Sequence, residues 1–425
     1  LIAKHDAFRL RFEQESSNWK QVYRQVPPVD TVLHFCTLTN TYPDAQEEYI
    51  LNNKNDLQSS LNISQGPLIK VLVIKDSVEG GDSIFITVHH LIIDGVSWRV
   101  LHEDLELLYT KVKEGKECLL ETEEGSYGEW GDQLQKYGEN KAVEQLTYWQ
   151  SILNKAKDFE FNSWNMAGNV QEAQFVEFAL NKESTQKLLK EAPEAYNTSI
   201  ETLLLAALSR AFKTAWKSEN LYVDLEGHGR EGVIDSSSST VIGWYTAVYP
   251  CLIEDTTKEW PELITYVKDT LAFIPDKGIG FAYLKYEKDA FPESIEPCIC
   301  FNYLGQLDGY KGLSLTPDFS ELTGLLSSSE NALPYGLSID CFVSDEQLKM
   351  QITYSHDYCY DSGMEQFKSG MIRALTELID HCCNQGTGAF SASDFKAADV
   401  DNEELNAMRR KILKSTSEED NFEDF

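Results

Sequence analysis

The sequence has 425 residues, of which 42% are hydrophobic and 11% aromatic, and at roughly 150 residues per domain it predicts two or three folded units. Acidic residues (69) outnumber basic residues (37), so the net charge is -32 at pH 7. This charge argues against binding to nucleic acid or to an anionic membrane, because both need clustered cations. No apolar run reaches the roughly 20 residues that cross a bilayer, and the first residues do not resemble a signal peptide.

The nine cysteines are scattered along the sequence, and no pair of them has the spacing of a zinc site. Single cysteines in a long chain are typical of buried thiols in a reducing compartment. We therefore predict a cytoplasmic protein with no metal site and no disulfide framework.

In the first part of the chain, hydrophobic patterning predicts one strand and two helices. Residues 84–90 predict a strand, and apolar residues then recur at steps of three and four over 101–112. This amphipathic helix has Ser97 as its predicted N-cap. A second helical pattern covers 127–153, and Gly138 is predicted to break it.

Further along, residues 158–173 lose this periodicity and predict a domain boundary. Thr198 and Glu201 have the spacing of a capping box that opens an apolar helix, Ile200–Trp216. A strand is predicted over Leu221–Glu226.

The last part of the pattern predicts a strand over 348–354 and a helix over 364–378, before the sequence turns small and polar near 386. Because helical and strand patterns alternate throughout, the predicted class is α/β or α+β.

The string HHLIIDG occupies residues 89–95. Adjacent side chains on a strand point to opposite faces, so only one of His89 and His90 is expected to face a cavity. Imidazole is suited to proton transfer near pH 7, and Asp94 can hold the turn or pair with a cation. A lone histidine at a strand end is more often structural, and only the complete string favours a chemical role.

A second string, EGHGRE, occupies residues 226–231. Alternation along the strand places Glu226 on its polar face, beside glycines that let the backbone turn sharply. A partly buried carboxylate there is a stronger base than one in water. A single glutamate at a strand end is more often solvated.

These strings resemble a known family. HHLIIDG resembles the HHxxxDG signature of the condensation-domain superfamily of nonribosomal peptide synthetases, and EGHGRE resembles the mark of its epimerization subtype. Other strings resemble the same subtype in the same order: VSWR at 96–99, GWYT at 243–246, IPDKGIG at 274–280 and FNYLGQ at 301–306. Tyr245 stands where the subtype usually has Phe.

The resemblance implies an α/β (α+β two-layer) fold with two chloramphenicol-acetyltransferase-like lobes, arranged as a V around an interlobe tunnel. The expected N-terminal lobe is 1–160, with HHxxxDG, and the expected C-terminal lobe is 174–385, with EGHGRE. Residues 386–425 are either a linker or a docking tail for a downstream synthetase subunit. The family has an opening segment before Lys4; either it lies outside this sequence or the first lobe is incomplete.

The resemblance also implies reversible L-to-D epimerization of an aminoacyl or peptidyl thioester through an enolate. The substrate would be delivered on the 4′-phosphopantetheine of an upstream peptidyl carrier domain, with no intrinsic cofactor, by a monomeric domain of a larger multidomain chain. His90 and Glu226 are the expected catalytic residues. Eight others are expected to support them: His89, Asp94, Gly95, Trp98, His228, Arg230, Asn302 and Tyr303.

Three of these supporting residues have expected roles of their own. Arg230 is expected to pair with Asp94 and bridge the two halves, while Asn302 and Tyr303 are expected to orient the thioester carbonyl or relay a proton. Two alternatives stay open: a condensation-type acyltransferase that forms a peptide bond with the help of His90, and an inactive domain that only docks carrier domains.

Overall fold

The computed structural model describes most of the chain, with several gaps. The described residues are 1–16, 18–38, 42–76, 81–120, 125–157, 168–234, 239–254, 258–292, 294, 296–307, 326–355, 361–385, 391 and 393–395. Apart from 391 and 393–395, the predicted tail 386–425 lies outside them, as does most of the predicted boundary at 158–173. None of the described helices is long and apolar enough to span a membrane.

The described strands, in chain order, are β1 (Leu10–Glu15), β2 (Asn18–Tyr23), β3 (Leu33–Leu38), β4 (Ile69–Asp76), β5 (Ser83–Val88), β6 (Ala173–Ala179), β7 (Leu221–Gly227), β8 (Ala247–Ile253), β9 (Ile299–Gln306), β10 (Leu337–Ser344) and β11 (Gln347–Ser355). The described α-helices are α1 (Val29–Val32), α2 (Pro43–Ser59), α3 (Gly95–Lys113), α4 (Tyr127–Asn140), α5 (Leu146–Ala156), α6 (Lys182–Lys190), α7 (Ala192–Tyr196), α8 (Ile200–Trp216), α9 (Trp260–Phe273), α10 (Ile279–Ala282) and α11 (Asp361–Gln385).

The strands form three sheets, and the chain is of the predicted mixed α/β class. The largest sheet has six strands in the order β6-β11-β10-β9-β7-β8, the second has the order β3-β4-β5, and the third is the hairpin of β1 and β2. In the large sheet β9 is parallel to both β7 and β10, and the other pairs are antiparallel. All its strands lie between Ala173 and Ser355.

The large sheet is apolar on one face and mostly polar on the other. Leu225, Phe301 and Ile339 on its apolar face belong to the main core, with side chains of α8 and α11. The intervening residues of β7 and β9 point to the opposite face, since side chains alternate along a strand. That second face carries Glu226 and Asn302.

Helices α4 and α5 extend this same core. Trp130, Tyr137, Trp149 and Leu153 are all buried within it. These helices therefore pack on the core formed by the large sheet, α8 and α11.

The predicted helix over 127–153 is interrupted, but at Lys141 rather than at Gly138. Gly138 lies inside α4, where an added Cβ would come within 2.3 Å of the Tyr283 ring. The glycine therefore allows close packing and does not end the helix.

Two predicted helix caps were wrong by a few residues, although α8 spans the predicted residues. Ser199, not Thr198, caps α8 by accepting a hydrogen bond from the Thr202 N–H at 3.2 Å. Asp94, not Ser97, caps α3. Each pair contains two residue types that cap helices well, so composition alone does not choose between them.

Candidate active site

The two histidines of the first motif follow the end of a strand. Strand β5 ends at Val88, so the predicted strand 84–90 is two residues too long. His89 precedes a short 3-10 turn, His90–Ile92, and its Nδ1 accepts a hydrogen bond from the Leu91 N–H at 3.2 Å. Burial lowers the pKa of His89, and the nearby charge of His90 lowers it further. His89 therefore shapes the turn.

His90 has a different environment, since its side chain is exposed. Its ring lies beside Trp244, with centroids 5.5 Å apart. The Trp244 carbonyl accepts a hydrogen bond from the Tyr127 hydroxyl at 2.8 Å, which ties this part of the loop to α4. Trp244 was noted in the sequence only as part of a motif, and the structure places it against a candidate catalytic group.

Asp94 is a buried connection between the two halves of the chain. Its carboxylate accepts hydrogen bonds from the Ser97 N–H at 2.7 Å and the Tyr245 N–H at 3.0 Å. The Arg230 guanidinium donates to both of its oxygens, at 3.0 and 3.2 Å, with 3% of the Asp94 side chain and 5% of the Arg230 side chain exposed. The ion pair predicted for Arg230 is therefore present, and Asp94 both holds the turn and pairs with a cation.

Ser97 adds to this connection. Its hydroxyl donates to the Gly243 carbonyl at 2.9 Å and accepts from the Gly243 N–H and from Arg230, at 3.1 and 2.7 Å. The Arg230 guanidinium also lies 3.8 Å from the centroid of the Tyr245 ring. The start of α3 is thus fixed to the loop that carries Trp244.

Glu226 lies near the end of β7, on the polar face of the large sheet. The Asn302 side-chain amide donates to Glu226 Oε2 at 2.8 Å, and the Cys300 thiol lies 3.8 Å from Oε1. Burial raises the pKa of Glu226, and the positive charge of His90 opposes this rise. The imidazole from the first half of the chain therefore acts electrostatically on the carboxyl from the second half.

Two further carboxyl groups share the polar face with Glu226. Asp224 accepts a hydrogen bond from the Tyr335 hydroxyl at 3.0 Å, and its burial raises its pKa to about 7. Asp340 lies opposite Asn302 in the register of β10 and β9, and its burial raises its pKa to about 6. We did not predict these residues as part of the site. Strand alternation was the available signal for Asp224, two residues before Glu226.

The Tyr303 side chain faces the opposite side of the sheet from the Asn302 side chain. Its ring packs against the main core, on the apolar face of the sheet. Because consecutive strand residues face opposite sides, only one of the pair can reach Glu226.

The other predicted supporting residues lie at the edges of the site. His228 Nδ1 accepts from the Arg230 N–H at 3.1 Å, and its Nε2 lies 3.2 Å from a Glu231 oxygen, so it stabilises the turn after β7. Gly95 is the first residue of α3, where an added Cβ would have no described atom within 4 Å. Trp98, which lies further along α3, is 39% exposed. Gly95 and Trp98 keep their sequence-based roles as proposals.

Comparison with known proteins identifies related sequences and structures. The family model described as "Condensation domain" matches residues 1–400. A linear gramicidin synthase protein of Brevibacillus parabrevis is 32% identical over 421 residues, which cover 95% of this chain and 8% of that protein. The chain therefore spans less than a tenth of this curated relative.

Two solved structures show the same fold. The epimerization domain from the third module of tyrocidine synthetase B superposes with a TM-score of 0.77 at 29% identity, covering 90% of this chain and 86% of that one. The first condensation domain of the CDA synthetase has a TM-score of 0.65 at 14% identity, covering 91% and 88% of the two chains. The second likeness concerns the fold alone.

Proposed function

Because the chain belongs to the condensation-domain family, we propose that it is an epimerization domain of a nonribosomal peptide synthetase. Its substrate is an aminoacyl or peptidyl thioester on the 4′-phosphopantetheine arm of a neighbouring peptidyl carrier domain. The likeness to a solved epimerization domain supports this choice within the family.

One observation carries the proposal. The half-buried carboxyl group of Glu226, held by the Asn302 amide, lies within electrostatic reach of the exposed imidazole of His90. Inversion of a carbon centre by proton transfer needs one group to remove a proton and another to return one on the opposite face. A carboxyl and an imidazole from different halves of the chain meet this requirement.

The proposed reaction is two proton transfers with no net redox change. The Glu226 carboxylate takes the α-proton, and the electron pair of the C–H bond moves into an enolate whose charge rests mainly on the thioester oxygen. Protonated His90 then donates its proton to the opposite face of the same carbon, and the electron pair returns to form the new C–H bond. In the reverse direction the two residues exchange roles.

The two groups differ in access to water, and this difference has a consequence for isotope labelling. His90 is exposed and exchanges its proton with solvent, whereas Glu226 is half-buried. Deuterium from heavy water should therefore enter the α-position through His90 in each productive turnover.

The direct test measures α-deuterium incorporation into a carrier-bound aminoacyl thioester in deuterated water. Glu226→Gln and His90→Ala should each lower exchange by about 10²–10⁴-fold, the usual contribution of a positioned acid or base. Glu183→Gln is the matched control, because Glu183 is an exposed carboxyl on the surface of α6. Circular dichroism would establish that each variant is folded, and wild-type exchange in the Glu226 variant would overturn the assignment.

The same assay separates the alternatives. An epimerase racemises the loaded thioester with no acceptor amine present, whereas a condensation-type acyltransferase gives product only when an acceptor is supplied. A domain that only docks carrier domains would bind the loaded carrier and give neither exchange nor peptide product.

A further inference from the structure

The polar face of the large sheet gathers carboxyl groups without a matching cation. Asp224, Glu226 and Asp340 lie on this face, on two strands that flank β9. Among the described residues, none of the three carboxyl groups has a basic side chain within salt-bridge distance. The charge of His90 acts electrostatically on Glu226. The charge of Lys285 acts on Asp224, but the Lys285 Nζ is paired with Glu296 at 2.6 Å.

These carboxyl groups do not form a metal site. Within the described part of the chain, no group of three or more histidine, cysteine, aspartate or glutamate side chains is arranged to hold a metal ion.

Asp224 is the most enclosed of the three. It is 9% exposed, and its Oδ2 accepts a hydrogen bond from Tyr335 at 3.0 Å. Asp224 and Glu226 are two residues apart on one strand, so their Cα atoms are about 7 Å apart. Negative charges on both side chains would repel each other strongly, because few water molecules screen them. Burial raises the pKa of Asp224 to about 7, and the charge of Glu226 contributes to this rise.

We propose that Asp224 is a positioning residue whose neutral form keeps the negative charge needed for proton abstraction on Glu226. This proposal rests on the proposed epimerization, because it concerns the same proton transfer. The enolate is itself negative, and a second carboxylate charge behind Glu226 would raise its energy. The competent form of the site therefore has a neutral Asp224 beside an ionised Glu226.

Other titratable groups face this pair from each neighbouring element, and the test must separate them from Asp224. They are His90 before α3, Cys300 on β9, Asp340 on β10, Tyr335 before β10, Lys285 after α10 and Glu296 before β9. Titration of any of these would persist when Asp224 is replaced. A comparison of variants, not the wild-type profile alone, therefore identifies Asp224.

The first experiment measures α-deuterium exchange on a loaded carrier from pH 5.5 to 9. Wild-type exchange should fall above about pH 7, by about tenfold per pH unit if only the form with neutral Asp224 is competent. Asp224→Asn should remove the component of this fall that belongs to Asp224, because the amide stays neutral, whereas the component from loss of the His90 proton should persist. Tyr335→Phe should move it to higher pH by about half a unit or more, because loss of the hydrogen bond disfavours ionised Asp224.

Glu183→Gln, the exposed control, should leave the midpoint of the wild-type profile unchanged. The opposed behaviour of the Asp224 and Tyr335 variants is a signature that a purely structural role would not produce. An alkaline fall of the same midpoint in wild type and Asp224→Asn would overturn the proposal.

The second experiment does not depend on turnover. Infrared difference spectra of the folded protein, recorded between pH 5.5 and 8.5, should contain a protonated-carboxyl band that titrates near neutrality. Asp224→Asn should lose this band and keep the one that titrates near pH 6, from Asp340. Absence of such a band in the wild type would overturn this proposal alone. A band present in a wild type that shows no exchange on any loaded carrier would instead overturn the proposed epimerization.

Discussion

The two halves of the candidate site bury carboxyl groups in opposite ways. At the start of α3, Asp94 is almost fully buried, and its charge is compensated by Arg230 and by backbone N–H groups. On the polar face of the large sheet, Asp224 and Asp340 are also withdrawn from water, but burial leaves their pKa values raised to about 7 and about 6.

This difference separates a structural use of acidic residues from a chemical one. A buried carboxylate paired with a guanidinium fixes the position of the groups around it, and removal of either partner leaves an uncompensated charge. A buried carboxyl without a cation changes its protonation state near neutral pH, which suits proton transfer. The HHxxxDG region therefore holds the two halves together around one exposed imidazole. The sheet supplies carboxyl groups whose protonation state changes near neutral pH.

The largest expected effect tests the structural side of this comparison. Asp94→Ala should lower the free energy of unfolding by about 3–5 kcal/mol, because Arg230 is then buried without its anionic partner and α3 loses its cap. Denaturant unfolding followed by circular dichroism measures this change. Asp94→Asn keeps a capping acceptor and should cost less.

A loss below about 1 kcal/mol for Asp94→Ala would place the pair among the weak surface ion pairs. The contrast between the two carboxyl environments would then fail.

The second prediction compares two neighbours on β9 that face opposite sides of the sheet. Asn302→Ala removes the hydrogen bond to Glu226 and should lower α-deuterium exchange by about 10–100-fold, as expected for a bond to a charged group. Tyr303→Phe is the matched control and should stay within about twofold, because its ring packs against the core. Equal losses in the two variants would contradict the assignment of faces.

Patterns within the sequence were sufficient to predict several helices and strands and the ion pair between Arg230 and Asp94. The bounds of α8 followed from a continuous apolar run with helix formers. Alternation gave the first residue of β7 and placed its end one residue too early. The Arg230–Asp94 pair followed from the ordered motifs of the family. The signal for the two elements lay within one contiguous string each, whereas the pair depended on recognising two strings of one family.

The parts that were missed depend on contacts between distant segments. Asp224 and Asp340 share a face only because β7 and β10 both pair with β9 in a particular register, which no single string encodes. For Tyr303 a signal was available, since the alternation rule applied to the two histidines also excludes Asn302 and Tyr303 from a common face. The histidines themselves turned out to lie beyond the strand.

The third prediction concerns the pH dependence of stability on the sheet side. A carboxyl whose pKa is higher in the folded state, here about 6 for Asp340 against 3.8, binds more protons folded than unfolded. Its contribution to the free energy of unfolding therefore falls as pH rises from about 4 to about 6 and stays low above that range. Asp340→Asn should raise the free energy of unfolding by about 1–2 kcal/mol at pH 8 and leave it unchanged at pH 4.

Urea unfolding at the two pH values measures this difference. Equal effects of Asp340→Asn at pH 4 and pH 8 would show that its carboxyl is not destabilised by burial. The carboxyl groups of the large sheet would then not differ from Asp94 in the way that this comparison requires.

The smallest expected effect concerns the residues around the Asp94–Arg230 ion pair. Among the described residues, the buried Tyr245 hydroxyl has no hydrogen-bond partner, while the Tyr245 ring stacks on the Arg230 guanidinium. Tyr245→Phe keeps the stacking ring and removes the unsatisfied polar group, so it should raise the free energy of unfolding by up to about 1 kcal/mol. Tyr249→Phe, on the neighbouring strand β8, tests whether any loss of a buried hydroxyl has this effect. A destabilised Tyr245→Phe variant would mean that the hydroxyl contributes to the connection between the halves, and that this connection extends beyond Asp94, Ser97 and Arg230.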